Sequence, residues 1–193
     1  MTLQNPENPM WDSHKDLNLT ESDHKSLMMK DEWLSSDIIH AFLRILQNTN
    51  EHIRFIGPYN MFITPDSQLQ DGENFITVLN TSSDGSHWLT CSKVVTKEFE
   101  LDDVYVYDSL YTSINKFVQK QIKTIYGRGQ IWAKVYEVEK QDDLNSCGMF
   151  ALLNAATLVL GKDPTKHAYG TPKELRDGEK MFCVVEKSII QGV

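Results

Sequence analysis

Cys147 lies in the run Gln141-Asp142-Asp143-Leu144-Asn145-Ser146-Cys147-Gly148-Met149-Phe150, between a strand-like segment and an apolar helical one. A thiol in the first turn of a helix faces the positive end of the macrodipole. That end favours an anion, and the thiolate is the reactive form of cysteine. Gly148 leaves the backbone beside the sulfur uncrowded, where a planar carbonyl would approach. The alternative role for Cys147 is a small buried packing residue.

A thiol nucleophile needs a base, and the base needs an orienting partner. Of the six histidines, His14 and His24 lie in a polar leading segment, His40 on an amphipathic helix, and His52 and His167 in polar connections. His87 differs, because it opens a strand directly after Thr81-Ser82-Ser83-Asp84-Gly85-Ser86. A strand end is a rigid mount at a sheet edge. Asp108 closes the next strand, so antiparallel neighbours would bring its carboxylate to the imidazole. Each of these two is otherwise an ordinary surface polar residue. Gln141, six residues before Cys147, carries a carboxamide able to donate to an oxyanion beside the Cys147 N–H. An exposed loop glutamine is its alternative reading.

The elements that must position these side chains follow from periodicity. Ile38, Ile39, Phe42, Ile45 and Leu46 recur at helical spacing, with Ser35 or Ser36 as N-cap and Asp37 in the first turn. Strands are expected over residues 75–79, 87–94, 104–108 and 131–138, rich in β-branched and aromatic side chains. The second of these alternates loosely, as a strand with one face to the core. The acid-rich residues 97–103 read as a solvated hairpin loop. Ser113 opens a helix whose stripe is Ile114, Phe117, Val118, Ile122 and Ile125. Residues 146–160 are apolar nearly all round, which predicts a buried helix, with Gly161 past its end. Thr171-Pro172-Lys173-Glu174 is a capping box that starts a last helix reaching about residue 190. Grouped strands and flanking helices predict an α+β fold, with a mixed or antiparallel sheet covered by helices.

The 193 residues fit one domain with a short appendage. Residues 1–29 read as a polar N-terminal arm, expected to be mobile, and residues 30–193 as the folded domain. A net charge of −8 argues against a nucleic-acid partner, which needs a basic stripe, and against anionic lipid. No run of about 18 apolar residues is present to span a membrane. Three cysteines without a C-x-x-C pair (Cys91, Cys147, Cys183) exclude a disulfide framework and a zinc-ligand pattern, so no metal or cofactor is expected. Their odd number suggests a reducing compartment, and with no secretory signal pattern the expected location is intracellular, cytoplasmic or nuclear.

The order His87-Trp88, Tyr107-Asp108-Ser109-Leu110, Gln141, Cys147-Gly148 resembles the ubiquitin-like-protein proteases, the SUMO/NEDD8-type cysteine peptidases. Trp33-Leu34-Ser35-Ser36-Asp37-Ile38-Ile39 is similar to the segment that opens the same catalytic domain. The resemblance covers residues 30–160. It implies a papain-like fold of the Ulp type, with Cys147 as nucleophile, His87 as base and acid, Asp108 as orienting carboxylate and Gln141 in the oxyanion hole. Trp33 and Trp88 would wall a narrow tunnel for a Gly-Gly tail, since two indole faces admit glycine and little else. From their residue type alone, both tryptophans would more often be core residues. Ser146 departs from the family pattern, which has Asp before the nucleophile. Ser36 departs likewise, with Asp37 displaced by one.

The implied function is cleavage of the C-terminal Gly-Gly isopeptide or peptide bond of SUMO, ubiquitin or NEDD8. The implied partners are that modifier and its conjugates, and the chain is expected to be a monomer. Three other functions fit a related fold: a viral or mobile-element polyprotein-processing peptidase, an acetyltransferase of the same clan, and a non-catalytic modifier-binding module. The acetyltransferase would need a Lys/Arg cluster or Gly-rich loop for acetyl-CoA phosphates, and the sequence has neither.

Overall fold

The computed structural model describes residues 10–12, 19–29, 31–58, 69, 73–82, 87–94, 103–126, 132–171 and 174–175. The elements in chain order are β1 (Met10–Asp12), β2 (Leu19–Thr20), α1 (Glu21–Met28), α2 (Ser36–Gln47), β3 (Arg54–Ile56), β4 (Phe75–Asn80), β5 (Trp88–Ser92), β6 (Asp103–Tyr107), α3 (Lys116–Tyr126), β7 (Trp132–Tyr136) and α4 (Cys147–Val159). A short 3₁₀ turn, Pro164–Lys166, follows α4.

Among these residues, five strands form one mixed sheet in the order β3-β4-β5-β6-β7. The outer pairs β3·β4 and β6·β7 are parallel, while β4·β5 and β5·β6 are antiparallel. Helices cover both faces. Ile76, Val78, Trp88, Tyr105 and Tyr107 pack with α2 and α4 on one side. Phe75, Leu79, Leu89, Cys91, Val104 and Val106 pack with Val118, Ile122 and Ile125 of α3 on the other. The period-2 alternation of a strand therefore carries apolar groups in both directions. The expectation of one core-facing side for β5 is corrected: all five of its residues are buried, because helix layers enclose the sheet centre.

α4 runs through the core. Every residue from Cys147 to Leu158 is buried, as its all-round apolar sequence requires. Gly161 ends it with a φ of +68°, the left-handed conformation that glycine adopts without a Cβ penalty. Ser35 caps α2, its Oγ accepting from the Ile38 N–H at 3.2 Å. α3 begins at Lys116 rather than at Ser113. Asn115 supplies the cap, accepting from the Val118 N–H at 2.9 Å and donating to the Thr81 carbonyl at 2.8 Å. Thr171 and Glu174 form the expected capping-box bonds, and Leu175 joins the core.

The sequence pattern gave no sign of α1 or β3. α1 falls within the segment expected to be a mobile arm, yet Leu19 and Leu27 sit in the main core and Asp23 is buried. Thr20 and Asp23 form a reciprocal capping box, and Asp23 also accepts from Ser35 Oγ at 2.5 Å. One buried carboxylate thus links the starts of α1 and α2. Residues 1–9 and 13–18 of the arm, the 97–102 loop, Cys183 and the continuation of the last helix lie outside the described residues.

Candidate active site

The antiparallel pairing of β5 with β6 places the beginning of one strand beside the end of the other. His87 immediately precedes β5 and Asp108 immediately follows β6, so both emerge at one edge of the sheet. His87 Nε2 lies 2.8 Å from Asp108 Oδ1, and both side chains are almost fully buried. The same carboxylate oxygen accepts from the Leu110 and Tyr111 N–H groups at 2.8 and 3.0 Å. These backbone donors hold the carboxylate in place and keep its charge compensated. Lys140 braces the turn from outside, donating to the Asp108 and Tyr111 carbonyls at 2.9 and 3.3 Å.

Cys147 is the first residue of α4 and is 1% exposed, so only a thin group can reach its sulfur. Burial alone would lower the pKa of His87, but its contacts with Asp108 and Cys147 outweigh this and push it up to about 9. The imidazole thus sits between a carboxylate and the sulfur, and both contacts favour its protonated form. Cys91 is the contrasting thiol. It is fully buried inside the sheet, and burial pushes its pKa well up, which leaves it inert.

Ser146, the N-cap of α4, places no side-chain bond over the first turn. Its hydroxyl turns back to donate to Asp143 Oδ2 at 2.7 Å, and its N–H donates to Asp143 Oδ1 at 2.9 Å. A carboxylate three residues upstream thus steadies the chain just before the cysteine. The first-turn N–H groups of α4 therefore receive no cap from the Ser146 side chain. Gln141 is buried and held at both ends: Oε1 accepts from Ser109 Oγ at 2.6 Å, and Nε2 donates to the Asp143 carbonyl at 2.8 Å. It is thereby tied to the Asp108 turn and to the loop leading into Cys147.

Both tryptophans lie against this region in different ways. Trp88 is 4% exposed and donates from its indole nitrogen to the Leu34 carbonyl at 3.1 Å. Trp33 is 40% exposed and donates to the side chain of Asn145, two residues before Cys147. The 33–34 segment is therefore pinned between β5, which follows His87, and the loop that leads into Cys147. Gly148 has a packing reason that the sequence did not reveal: a Cβ there would lie 3.0 Å from Leu34 Cβ and 3.1 Å from its Cγ and Cδ1. The glycine makes room for Leu34, so the segment can close over the helix start.

Residues missed from the sequence as site members are Ser109, Tyr111, Lys140, Asp143 and Asn145. Tyr111 stands edge-on to the His87 ring at 5.2 Å and is half exposed. Ser109 lies within Tyr107-Asp108-Ser109-Leu110, but nothing local signals a partner 32 residues away. Among the described residues, no group of His, Cys, Asp and Glu is arranged to hold a metal ion, and no helix is long and apolar enough to cross a membrane.

No family model matches the chain, and no curated protein sequence does. Solved structures do match. The C-terminal Ulp1 protease domain in complex with Smt3, the yeast ortholog of SUMO, aligns at a TM-score of 0.63 and 17% identity, covering 90% of this chain and 86% of that one. A de-sumoylating protease aligns at 0.59 and 16% identity, covering 96% and 84%. The Ulp1-like SUMO protease catalytic domain of Chaetomium thermophilum aligns at 0.59 and 13% identity, covering 96% and 83%. With a helix-start cysteine beside a strand-end histidine and aspartate, the chain is built on the fold of the Ulp1-type SUMO proteases.

Proposed function

We propose that the chain is a cysteine protease that hydrolyses the bond following the C-terminal Gly-Gly of a ubiquitin-like modifier. The observation that carries this reading is the buried contact of His87 with both Asp108 and Cys147, at the start of α4. SUMO is the first modifier expected, because the three structures compared above are SUMO proteases or Ulp1-like domains.

In this reaction the Cys147 thiolate attacks the carbonyl carbon of the terminal glycine, forming a C–S bond. The carbonyl electron pair moves onto oxygen, which the Cys147 N–H and the free hydrogen of Gln141 Nε2 stabilise. The oxyanion collapses, the C–N bond breaks, and His87 gives its proton to the departing amine. Water then enters, neutral His87 takes one of its protons, and the hydroxide displaces sulfur to give the carboxylic acid, which loses its remaining proton to solvent. His87 is again protonated beside the thiolate. Asp108 fixes the ring with Nε2 toward itself, which leaves Nδ1 for the sulfur. Trp33 and Trp88 shape the approach, and the near-complete burial of Cys147 suits a tail without side chains.

The reading is tested by hydrolysis of fluorogenic SUMO, ubiquitin and NEDD8 substrates. Cleavage of at least one, with SUMO fastest, is expected. Acetyl transfer from acetyl-CoA without cleavage of any substrate would overturn it in favour of the acetyltransferase. Cleavage of a free Gly-rich peptide as fast as of the folded modifiers would point to polyprotein processing.

A further inference from the structure

The carboxamide of Gln141 can serve an oxyanion only if its nitrogen, not its oxygen, faces the reacting carbonyl. Two groups decide this. The Asp143 carbonyl can only accept, so the end of the amide against it at 2.8 Å is the nitrogen. The opposite end, Oε1, is buried and receives the Ser109 hydroxyl at 2.6 Å. Ser109 is itself 2% exposed, and its carbonyl accepts from the Gln141 N–H at 3.1 Å. One residue therefore holds both the backbone and the side chain of Gln141, and an amide NH₂ with one hydrogen on Asp143 has one left.

Resting on the protease reading, we propose that Ser109 is a positioning residue that keeps Gln141 Nε2 aimed at the oxyanion. Without the hydroxyl, Oε1 is a buried acceptor lacking that donor, and the carboxamide is held at its nitrogen end alone and can swing about the Asp143 contact. The backbone bond from Gln141 to Ser109 stays, so the change is confined to the amide.

The test separates this role from a structural one. A modifier whose terminal glycine is replaced by propargylamine traps the cysteine by thiolate addition to an alkyne, and no oxyanion forms. Ser109→Ala is expected to lower kcat for hydrolysis of the fluorogenic modifier by about 10-fold or more, toward the 10²–10³ that loss of an oxyanion donor produces. KM and the rate of alkyne labelling stay near wild type. Ser109→Thr, which keeps the hydroxyl, restores most of kcat, and in a Gln141→Ala background Ser109→Ala has no further effect. If Ser109→Ala does not fold, Ser109→Cys, a weak donor of similar size, carries the same comparison. Unchanged kcat overturns the inference, and so does an equal fall in hydrolysis and labelling, which would place the effect on neighbouring Asp108. A wild-type chain that neither cleaves nor is labelled by any modifier overturns the protease reading, and this inference with it.

Discussion

The Trp88 indole donates to the Leu34 carbonyl at 3.1 Å, across 54 residues of sequence, and ties the segment before α2 to the strand that carries His87. Leu34 in turn packs where Gly148 has no side chain, directly after Cys147. His87, Cys147 and the 33–34 segment are thus coupled through one buried hydrogen bond and one close contact. Trp88→Phe keeps an aromatic ring, though a smaller one, and leaves the carbonyl without its donor. The expected loss is about 1–2 kcal/mol of stability, measured by chemical denaturation, with a lower kcat/KM for the folded modifier.

Gly148→Ala tests the other half of that coupling. Its φ is ordinary, so the effect comes from the Cβ meeting Leu34 at 3.0 Å. The overpacking is expected to cost about 1–3 kcal/mol. Because the displaced group is the segment over Cys147, alkyne-probe labelling should slow as well. Unaltered stability and labelling would show that the 33–34 segment does not close on the helix start.

The pH dependence follows from His87, whose pKa rises from 6.5 to about 9 on folding. A raised value means that the folded state binds the proton more tightly than the unfolded one. The contribution is fully present below pH 6.5 and is lost as the pH rises through about 9. Activity that needs the imidazolium as acid should show an alkaline limb near pH 9. Asp108→Asn should move that limb toward 6.5 and lower kcat by about 10²- to 10⁴-fold. A limb that stays in place in the variant would remove Asp108 from its role.

Asp23 binds the starts of two helices. Its carboxylate caps α1 through Thr20 and receives Ser35 Oγ at 2.5 Å, while Ser35 caps α2. Asp23→Ala is expected to cost about 1–3 kcal/mol by denaturation. A negligible change would mean that the segment before residue 29 contributes little to the fold.

How much of this was legible in the sequence depended on the range of each contact. The strands β4, β5, β6 and β7 and the helices α2 and α4 were readable, since β-branched runs, helical stripes and the Ser35 cap act locally. The meeting of His87 with Asp108 was readable too, because two successive antiparallel strands leave one start and one end side by side. The 20–23 capping box was not read, since a two-turn helix in a polar segment shows little periodicity. β3 is only three residues long and owes its conformation to parallel pairing with β4. The Ser109–Gln141 and Trp33–Asn145 bonds join loops 32 and 112 residues apart, which no spacing encodes. Gly148 was legible as a glycine that mattered, and the structure adds a packing reason, Leu34, that no local pattern signals.

The most direct measurement is hydrolysis of fluorogenic SUMO by the wild-type chain and by Cys147→Ala, with circular dichroism confirming that both are folded. The wild type is expected to release the fluorophore and Cys147→Ala to release none, because no other described thiol is placed beside a base. Cleavage that persists in folded Cys147→Ala would contradict the assignment of Cys147 as the nucleophile.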